Sequence, residues 1–313
     1  MCSTKHMSRS LKSLLMIIPF VILYFIARWL PVEPCDFLHE ETYNSEGELD
    51  YCGPGDAGFV DLTVRKWPLT MSLRPLGEIE INKPCEFEIN LKEFDGSPLA
   101  ADEVALSHTK KIHLLAVDPS LEDYQHLHPI PDDLFDGIWR FTLTPKVFGE
   151  YRIFLDLIPI RSPRRVLLSS SLQVEGGDAT KPNLKSSSTF EVKGRNFSLD
   201  VRKGESSDDE YILTFKARDA EGIPLTLRPV MGAHAHMVAF DWEGKGFAHL
   251  HPLEQEGVVG PVTDSITKDL EFSFNSSRIK QCKLWAQVLL EEDEEETFIP
   301  FTLDLTNYLN DTN

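Results

Sequence analysis

"HMVAFDWEGKGFAHLHP", residues 236–252, has the pattern of a β-hairpin. Its central "DWEGKG" holds an aspartate and two glycines, which favour a tight turn, and apolar residues flank it on both sides. With these six residues as the loop, Phe240 pairs with Phe247. This pairing sets the register for every other residue of the hairpin, and the stretch therefore predicts local antiparallel β-structure.

Three histidines converge in this register. Counting outward from the turn places His236 opposite His251, and His249 lies on the same face because side chains alternate along a strand. Opposed residues have Cβ atoms about 4.5–5.5 Å apart, and metal–nitrogen bonds are about 2.0–2.1 Å. The three imidazoles could therefore reach one ion at the open end of the hairpin, where Pro252 should end the strand.

The same hairpin occurs earlier in the chain. "HLLAVDPSLEDYQHLHP", residues 113–129, aligns without a gap, with Val117 opposite Tyr124. "YRIFLDL" likewise matches the later "CKLWAQV", and "FEINLKEFDGSPL" matches "YILTFKARDAEGIPL". A repeated block of short strands predicts two copies of one β-domain. The equivalent candidate metal ligands of the first copy are His113, His126 and His128.

The predicted fold is all-β: two tandem immunoglobulin-like antiparallel β-sandwiches behind an N-terminal transmembrane helix. The predicted segments are a cytoplasmic N-terminus at 1–12, a transmembrane signal anchor at 13–30, a tether at 31–71, sandwich copy 1 at 72–175, a linker at 176–187, sandwich copy 2 at 188–306 and a tail at 307–313.

The anchor prediction rests on an apolar run of 18 residues, Ser13–Leu30, which has about the length of a membrane-spanning helix. Lys5, Arg9 and Lys12 precede it, and this favours a cytoplasmic N-terminus. A cleavable signal peptide is the alternative, but "ARWLPVEPC" is a poor cleavage site. Either way, most of the chain is expected in the periplasm or another extracytoplasmic compartment.

Composition narrows the function further. The formal net charge is −19, which disfavours a nucleic-acid partner. In an oxidising compartment Cys35 and Cys52, which flank an acidic stretch, are the best disulfide candidates. Cys85 and Cys282 lie in apolar strand contexts, and we expect both to be small buried side chains.

The two copies differ in their candidate ligands. His234 lies two residues before His236 and so on the same face, whereas the first copy has Lys111 there. Imidazole nitrogens suit zinc, copper(II) or nickel, and the nearby Met231 and Met237 would shift the preference toward copper(I). The alternative is that the histidines are structural and hydrogen-bond to backbone carbonyls at strand ends.

The motif resembles the H-(L/M)-V…F-x-H-x-H-P signature of bacterial exported β-sandwich domains, which are similar to YtkA-like and CopC-like domains. The resemblance covers both copies and implies an immunoglobulin-like fold and copper or heavy-metal binding. It carries over to His236, His249 and His251 and to the three first-copy histidines. The chain departs from a CopC-type pattern in one respect: that pattern has a histidine at the start of the mature domain, and this chain has none there.

Together these features predict a membrane-anchored, exported metal-binding protein for copper (or zinc) capture, delivery or tolerance. Its predicted partners are the metal ion, the membrane through the N-terminal helix and a protein involved in metal handling. A non-catalytic adhesion or scaffold protein is the main alternative. No serine, cysteine or carboxylate arrangement is typical of catalysis, so an enzyme is not expected.

Overall fold

The computed structural model describes residues 9–29, 58–62, 66–162, 164–183, 185–205, 207, 209–253, 262–276 and 279–308. Cys35 and Cys52, the predicted disulfide, lie outside the described residues. Cys85 and Cys282 are buried and free, as expected.

A helix, α1 (Arg9–Trp29), forms where the apolar run was noted. Among the described residues, however, no helix is long and apolar enough to cross a membrane. The prediction of a transmembrane anchor, and with it of a single-pass membrane protein, is therefore contradicted. A bilayer core requires about 20 consecutive, mainly apolar residues, and the run of 18 on which the prediction rested lies at the short end of that range.

The remainder of the described chain is predominantly β-structure. The strands are β1 (Val60–Asp61), β2 (Leu69–Pro75), β3 (Cys85–Glu93), β4 (Ile112–Val117), β5 (Tyr124–Leu127), β6 (Ile130–Pro131), β7 (Ile138–Leu143), β8 (Gly149–Leu157), β9 (Val166–Val174), β10 (Thr189–Val192), β11 (Arg195–Lys203), β12 (Glu210–Arg218), β13 (Leu227–Arg228), β14 (His236–Asp241), β15 (Gly246–Leu250), β16 (Leu270–Asn275), β17 (Gln281–Leu290) and β18 (Thr297–Asp304). Short 3-10 turns lie at Ala101–Glu103 and Leu305–Tyr308.

These strands form antiparallel sheets that pack in two pairs. In the first pair, the sheet β2-β3-β7-β6 faces the sheet β5-β4-β8-β9. Phe87, Trp139 and Tyr151 lie fully buried between them. In the second pair, β10-β11-β12-β16 faces a larger sheet that contains β15-β14-β17, and β18 extends it from β17. Phe215 and Phe272 fill that core. The all-β sandwich prediction is thus confirmed at this level.

A third apolar cluster joins the two pairs of sheets. Successive residues of β4 alternate between cores: Leu114 faces the first core, whereas Leu115 belongs to the third cluster. In β14, Met237 and Val238 divide in the same way between the second core and the third cluster. The outer faces of the two hairpins therefore pack against each other and are not solvated. We call this contact the hairpin interface.

Aromatic rings and hydrogen bonds cross the hairpin interface. The Tyr124 and Phe240 ring centroids lie 5.4 Å apart at an edge-to-face angle of 61°. Trp285 Nε1 donates to the Leu121 carbonyl at 3.1 Å, and Lys283 Nζ lies 2.9 Å from Glu122 Oε1. This buried contact fixes how the two hairpins face each other.

The predicted hairpin registers are confirmed. Val117 pairs with Tyr124, and Phe240 pairs with Phe247. An aspartate organises each loop. Asp118 accepts backbone N–H bonds from Ser120, Glu122 and Asp123, each at 2.8 Å. Such side-chain bonds to the backbone stabilise turns, which explains why both hairpin loops begin with aspartate.

The tether predicted at 31–71 contains paired structure. β1 lies within it and pairs with β15, and Val60 and Leu62 are buried in the hairpin interface. β2 begins at Leu69, slightly before the predicted start of the first copy. The strand β1 was not predicted from the sequence, because two residues are too few for a strand pattern to be recognised.

Candidate metal centre

Six of the seven predicted ligands form two compact groups. The first group, which we call triad 1, is His113, His126 and His128; triad 2 is His236, His249 and His251. Within each triad, one nitrogen from every ring lies within 4.8 Å of the others. Both triads could hold a metal ion. At the open ends of the hairpins, the first two histidines of each triad lie in its two strands, and the third, His128 or His251, directly follows β5 or β15.

Hydrogen bonds fix the tautomers of triad 1. His113 Nε2 donates to the Ser107 carbonyl at 2.7 Å, so its Nδ1 carries a lone pair. His126 Nδ1 donates to Gln287 Oε1 at 2.7 Å, so its Nε2 carries a lone pair as well. The Gln287 amide is oriented by its own Nε2, which donates to a Glu296 carboxylate oxygen.

The two lone pairs of triad 1 point at each other. His113 Nδ1 and His126 Nε2 are 3.0 Å apart, a hydrogen-bond distance, yet each ring has already used its single proton on an oxygen acceptor. Two facing acceptors repel unless a cation lies between them. Two ligands of one metal ion with bonds of about 2.0–2.1 Å come about this close. The buried Nε2 of His128 has no hydrogen-bond partner among the described residues and adds a third donor.

Triad 2 shows the same pattern. His236 Nε2 donates to the Val230 carbonyl at 2.9 Å, leaving Nδ1 as a buried atom without a hydrogen-bond partner in the described structure. His249 Nδ1 lies 3.6 Å from Asp156 Oδ2, and His249 Nε2 is likewise unpartnered there. His251 is buried, and neither of its ring nitrogens is hydrogen-bonded to a described residue. Buried polar atoms are normally paired, so these nitrogens are ready to bind a ligand.

Burial keeps these histidines neutral. It is the largest cause that lowers the pKa of His126 to about 3 and the pKa of His128 to about 2, with further lowering by the other rings of triad 1. Burial also depresses the pKa of His236, His249 and His251 well below the usual value. A neutral imidazole is the form that binds a metal, so both triads are preset as ligands at neutral pH.

The depressed pKa values predict an acid-sensitive metal-free protein. Above pH 6.5 the histidines are neutral in both folded and unfolded chains. Below pH 6.5, His126 and His128 take up a proton in the unfolded chain. In the folded chain they stay neutral until the pH falls to about 3 and about 2, respectively. Each of these two histidines should therefore lower the free energy of unfolding by about 1 kcal/mol between pH 6.5 and 5.5. Urea unfolding in the presence of a chelator measures this, and the same loss in a His126→Gln, His128→Gln variant would contradict it.

Two candidate residues of the second copy lie apart from triad 2. His234 Nε2 hydrogen-bonds to the Asp264 carbonyl at 2.8 Å and is not one of the three rings grouped above. Met237 is buried in the second core, on the opposite face to the histidines, as its register predicted. In the first copy, Lys111 Nζ donates to the Val104 carbonyl at 2.9 Å. The site is therefore built from imidazoles without a thioether from Met237.

The sequence did not identify His108 as part of the site. It lies in a turn of the first copy with a left-handed φ of 50°, but its ring packs against triad 2 of the second copy. Its centroid is 4.0 Å from that of His251 and 5.5 Å from that of His236. Its position close to the first hairpin in the sequence indicated that it could lie near a triad. Which triad its ring contacts depends on how the two hairpins pack against each other.

An ion pair supports triad 2 from behind. Arg165 binds the Asp156 carboxylate through two nitrogens, at 2.8 and 2.5 Å. Both residues are buried, with 3% and 7% of their surface exposed. The two bonds hold the carboxylate in place beside His249. A carboxylate next to the rear nitrogen of a ligating histidine orients the ring and raises its basicity.

Comparison with known proteins adds little on function. Residues 189–307, from β10 to the last 3-10 turn, match a family described as a domain of unknown function (DUF8832). No curated protein matches the chain.

Several solved structures are weakly similar. A Salmonella alpha-2-macroglobulin mutant is 13% identical, with 76% of this chain and 15% of that chain covered and a TM-score of 0.26. MtrC from Shewanella baltica is 7% identical, with 74% of this chain and 68% of that chain covered and a TM-score of 0.23. Fibronectin(III)-like modules of Clostridium thermocellum CbhA are 10% identical, with 75% of this chain and 94% of that chain covered and a TM-score of 0.19. TM-scores this low carry no argument about this chain.

Proposed function

We propose that this protein is a non-catalytic metal-binding protein whose two immunoglobulin-like sandwiches hold copper(II) or zinc for capture or tolerance of the metal. The observation that carries the proposal is the 3.0 Å contact between His113 Nδ1 and His126 Nε2. Both rings already donate their proton to an oxygen on the other side, so a cation is the natural occupant between them.

The choice of metal follows from the donors. Three neutral imidazoles suit zinc, copper(II) or nickel, and copper(II) binds nitrogen ligands most tightly of these. Burial of Met237 in the second core removes one of the two thioethers that would have favoured copper(I). The likeness of the H-x-H-P motif to copper-associated exported domains supports the same choice.

Solvent can reach triad 1. His128 is partly exposed and lines an open cavity of about 360 Å³ together with Leu127 and Phe141. An ion in this cavity would lie beside His128, and a movement of the His128 ring would open its buried Nε2 and the facing nitrogens of His113 and His126 to the ion. A site that can take up an ion from solvent fits a role in capture.

Metal titration of the full chain tests this proposal. We expect the chelator-treated protein to bind copper(II) or zinc more tightly than about micromolar, as followed by calorimetry or by competition with a chromophoric chelator. A His249→Ala, His251→Ala variant should lose the site of triad 2. His234→Ala is the matched control, because it removes a nearby buried imidazole from outside the triads and should leave the affinity unchanged.

The adhesion or scaffold alternative predicts a different result. Two of the six triad histidines do donate to backbone carbonyls, as structural histidines would, and so does His234. In that case the double alanine variant would lower the melting temperature equally with and without metal. Such an outcome, or binding weaker than about micromolar in the unmodified chain, would overturn the proposed function.

A further inference from the structure

We infer that the two triads form a single binuclear metal centre shared by the two sandwiches, in which the ions sense each other's charge. This inference rests on the proposed function. It differs from a chain with two separate metal domains, which the sequence repeat alone would suggest.

The first observation is how close the triads are. The rings of His113 and His126 each lie 5.8 Å from the ring of His249, between centroids. Within triad 2 the centroid distances run from 4.7 to 5.5 Å. Rings of different triads are thus almost as near as rings of one triad, because the hairpin interface places the open ends of both hairpins together.

The second observation is an exchange of supporting residues. Asp156 and Gln287 occupy equivalent places: Asp156 pairs with His113 across β4 and β8, and Gln287 pairs with His236 across β14 and β17. Each nevertheless reaches the middle histidine of the other copy. Gln287 accepts from His126 Nδ1 at 2.7 Å, and the Asp156 carboxylate lies 3.6 Å from His249 Nδ1. Neither triad has its full support without the other sandwich.

The charges in the centre make the two ions interact. The six imidazoles are neutral, and Asp156, the carboxylate beside His249, is already paired with Arg165. Little negative charge is therefore left to offset a second cation. Two divalent ions on the order of 6 Å apart repel enough to weaken the second binding step about 100-fold even at the dielectric constant of water, and more in a buried site.

Stepwise zinc titration of three full-length proteins tests the coupling. His249→Ala with His251→Ala leaves triad 1 alone, and His113→Ala with His128→Ala leaves triad 2 alone. We expect each variant to bind one ion tightly. The unmodified chain should bind its second ion at least about 100-fold more weakly than either variant binds its single ion. A second step too weak to detect in the unmodified chain would support the coupling equally.

Independent sites would give another result. If the unmodified chain binds two ions with the two affinities of the single-triad variants, the shared centre is wrong, while the proposed metal binding stands. If none of the three proteins binds zinc or copper(II), the proposed function itself fails.

A second arm tests the exchanged support without removing a ligand. Gln287→Leu, introduced into the variant that retains triad 1, should weaken ion binding about 10–100-fold, because the lost acceptor orients His126 from behind. Gln125→Leu is the matched control, since the Gln125 side chain bonds to Thr144 and Asp123 and to no histidine in the described structure. Equal affinities for the two leucine variants, with both folded by circular dichroism, would overturn the role of Gln287.

Discussion

Arg165→Ala is expected to lower the free energy of unfolding by about 3–5 kcal/mol, because it leaves the Asp156 carboxylate buried without its main partner. The two bonds between them are 2.8 and 2.5 Å long, and 3% of Arg165 is exposed. Neither water nor a neighbouring cation can easily replace the guanidinium there. Urea unfolding of the chelator-treated protein at neutral pH measures the effect.

An exposed ion pair provides the control. Arg202 lies 3.4 Å from Glu271, but 56% and 45% of their side chains are exposed. Solvent screens such a pair, so Arg202→Ala should cost at most about 1 kcal/mol. A loss for Arg165→Ala as small as that for Arg202→Ala would contradict the expectation. An Asp156→Leu, Arg165→Met variant should recover much of the stability, since it removes both buried charges together.

The sequence predicted the parts of the site that depend on local spacing. The register of each hairpin follows from the loop and from the alternation of side chains, so the convergence of three rings per copy could be worked out without coordinates. His234 is the exception. Its spacing of two from His236 implied a shared face, but its Nε2 hydrogen-bonds to the Asp264 carbonyl and its ring is not one of the three grouped in triad 2.

The meeting of the two triads could not be derived in this way, because it depends on how two separate sheets pack. One signal was present in the sequence. "IHLLAV" and "HMVAFD" are apolar or histidine at nearly every position, and all their residues are buried. A strand that is apolar on both faces has both faces covered. The histidine face therefore needed a partner, but the sequence did not show that the other hairpin is that partner.

The apolar segment at the N-terminus shows the limit of a length rule. An apolar run of 18 residues, with one charge at Arg28, predicted a membrane span, and a helix does form over Arg9–Trp29. No described helix meets the length and apolarity that a span requires. The composition of a short segment shows that its residues are apolar, but it does not by itself show that they cross a membrane.

Saturating zinc is expected to raise the free energy of unfolding by about 4 kcal/mol when its free concentration is a thousand times the dissociation constant of the first ion. The reason is linkage: the folded chain brings together the ligands of both hairpins, which the unfolded chain scatters along its length from His113 to His251. Ligands from both sandwiches contribute to one centre, so metal should stabilise both sandwiches against urea.

The measurement compares urea midpoints in buffered free zinc and in excess chelator. His234→Ala should keep the full zinc-dependent shift, because its ring lies outside the triads. The four-residue variant His113→Ala, His128→Ala, His249→Ala, His251→Ala should lose the shift, since it leaves one ligand in each triad. A shift that survives in that variant would mean that zinc binds elsewhere on this acidic chain.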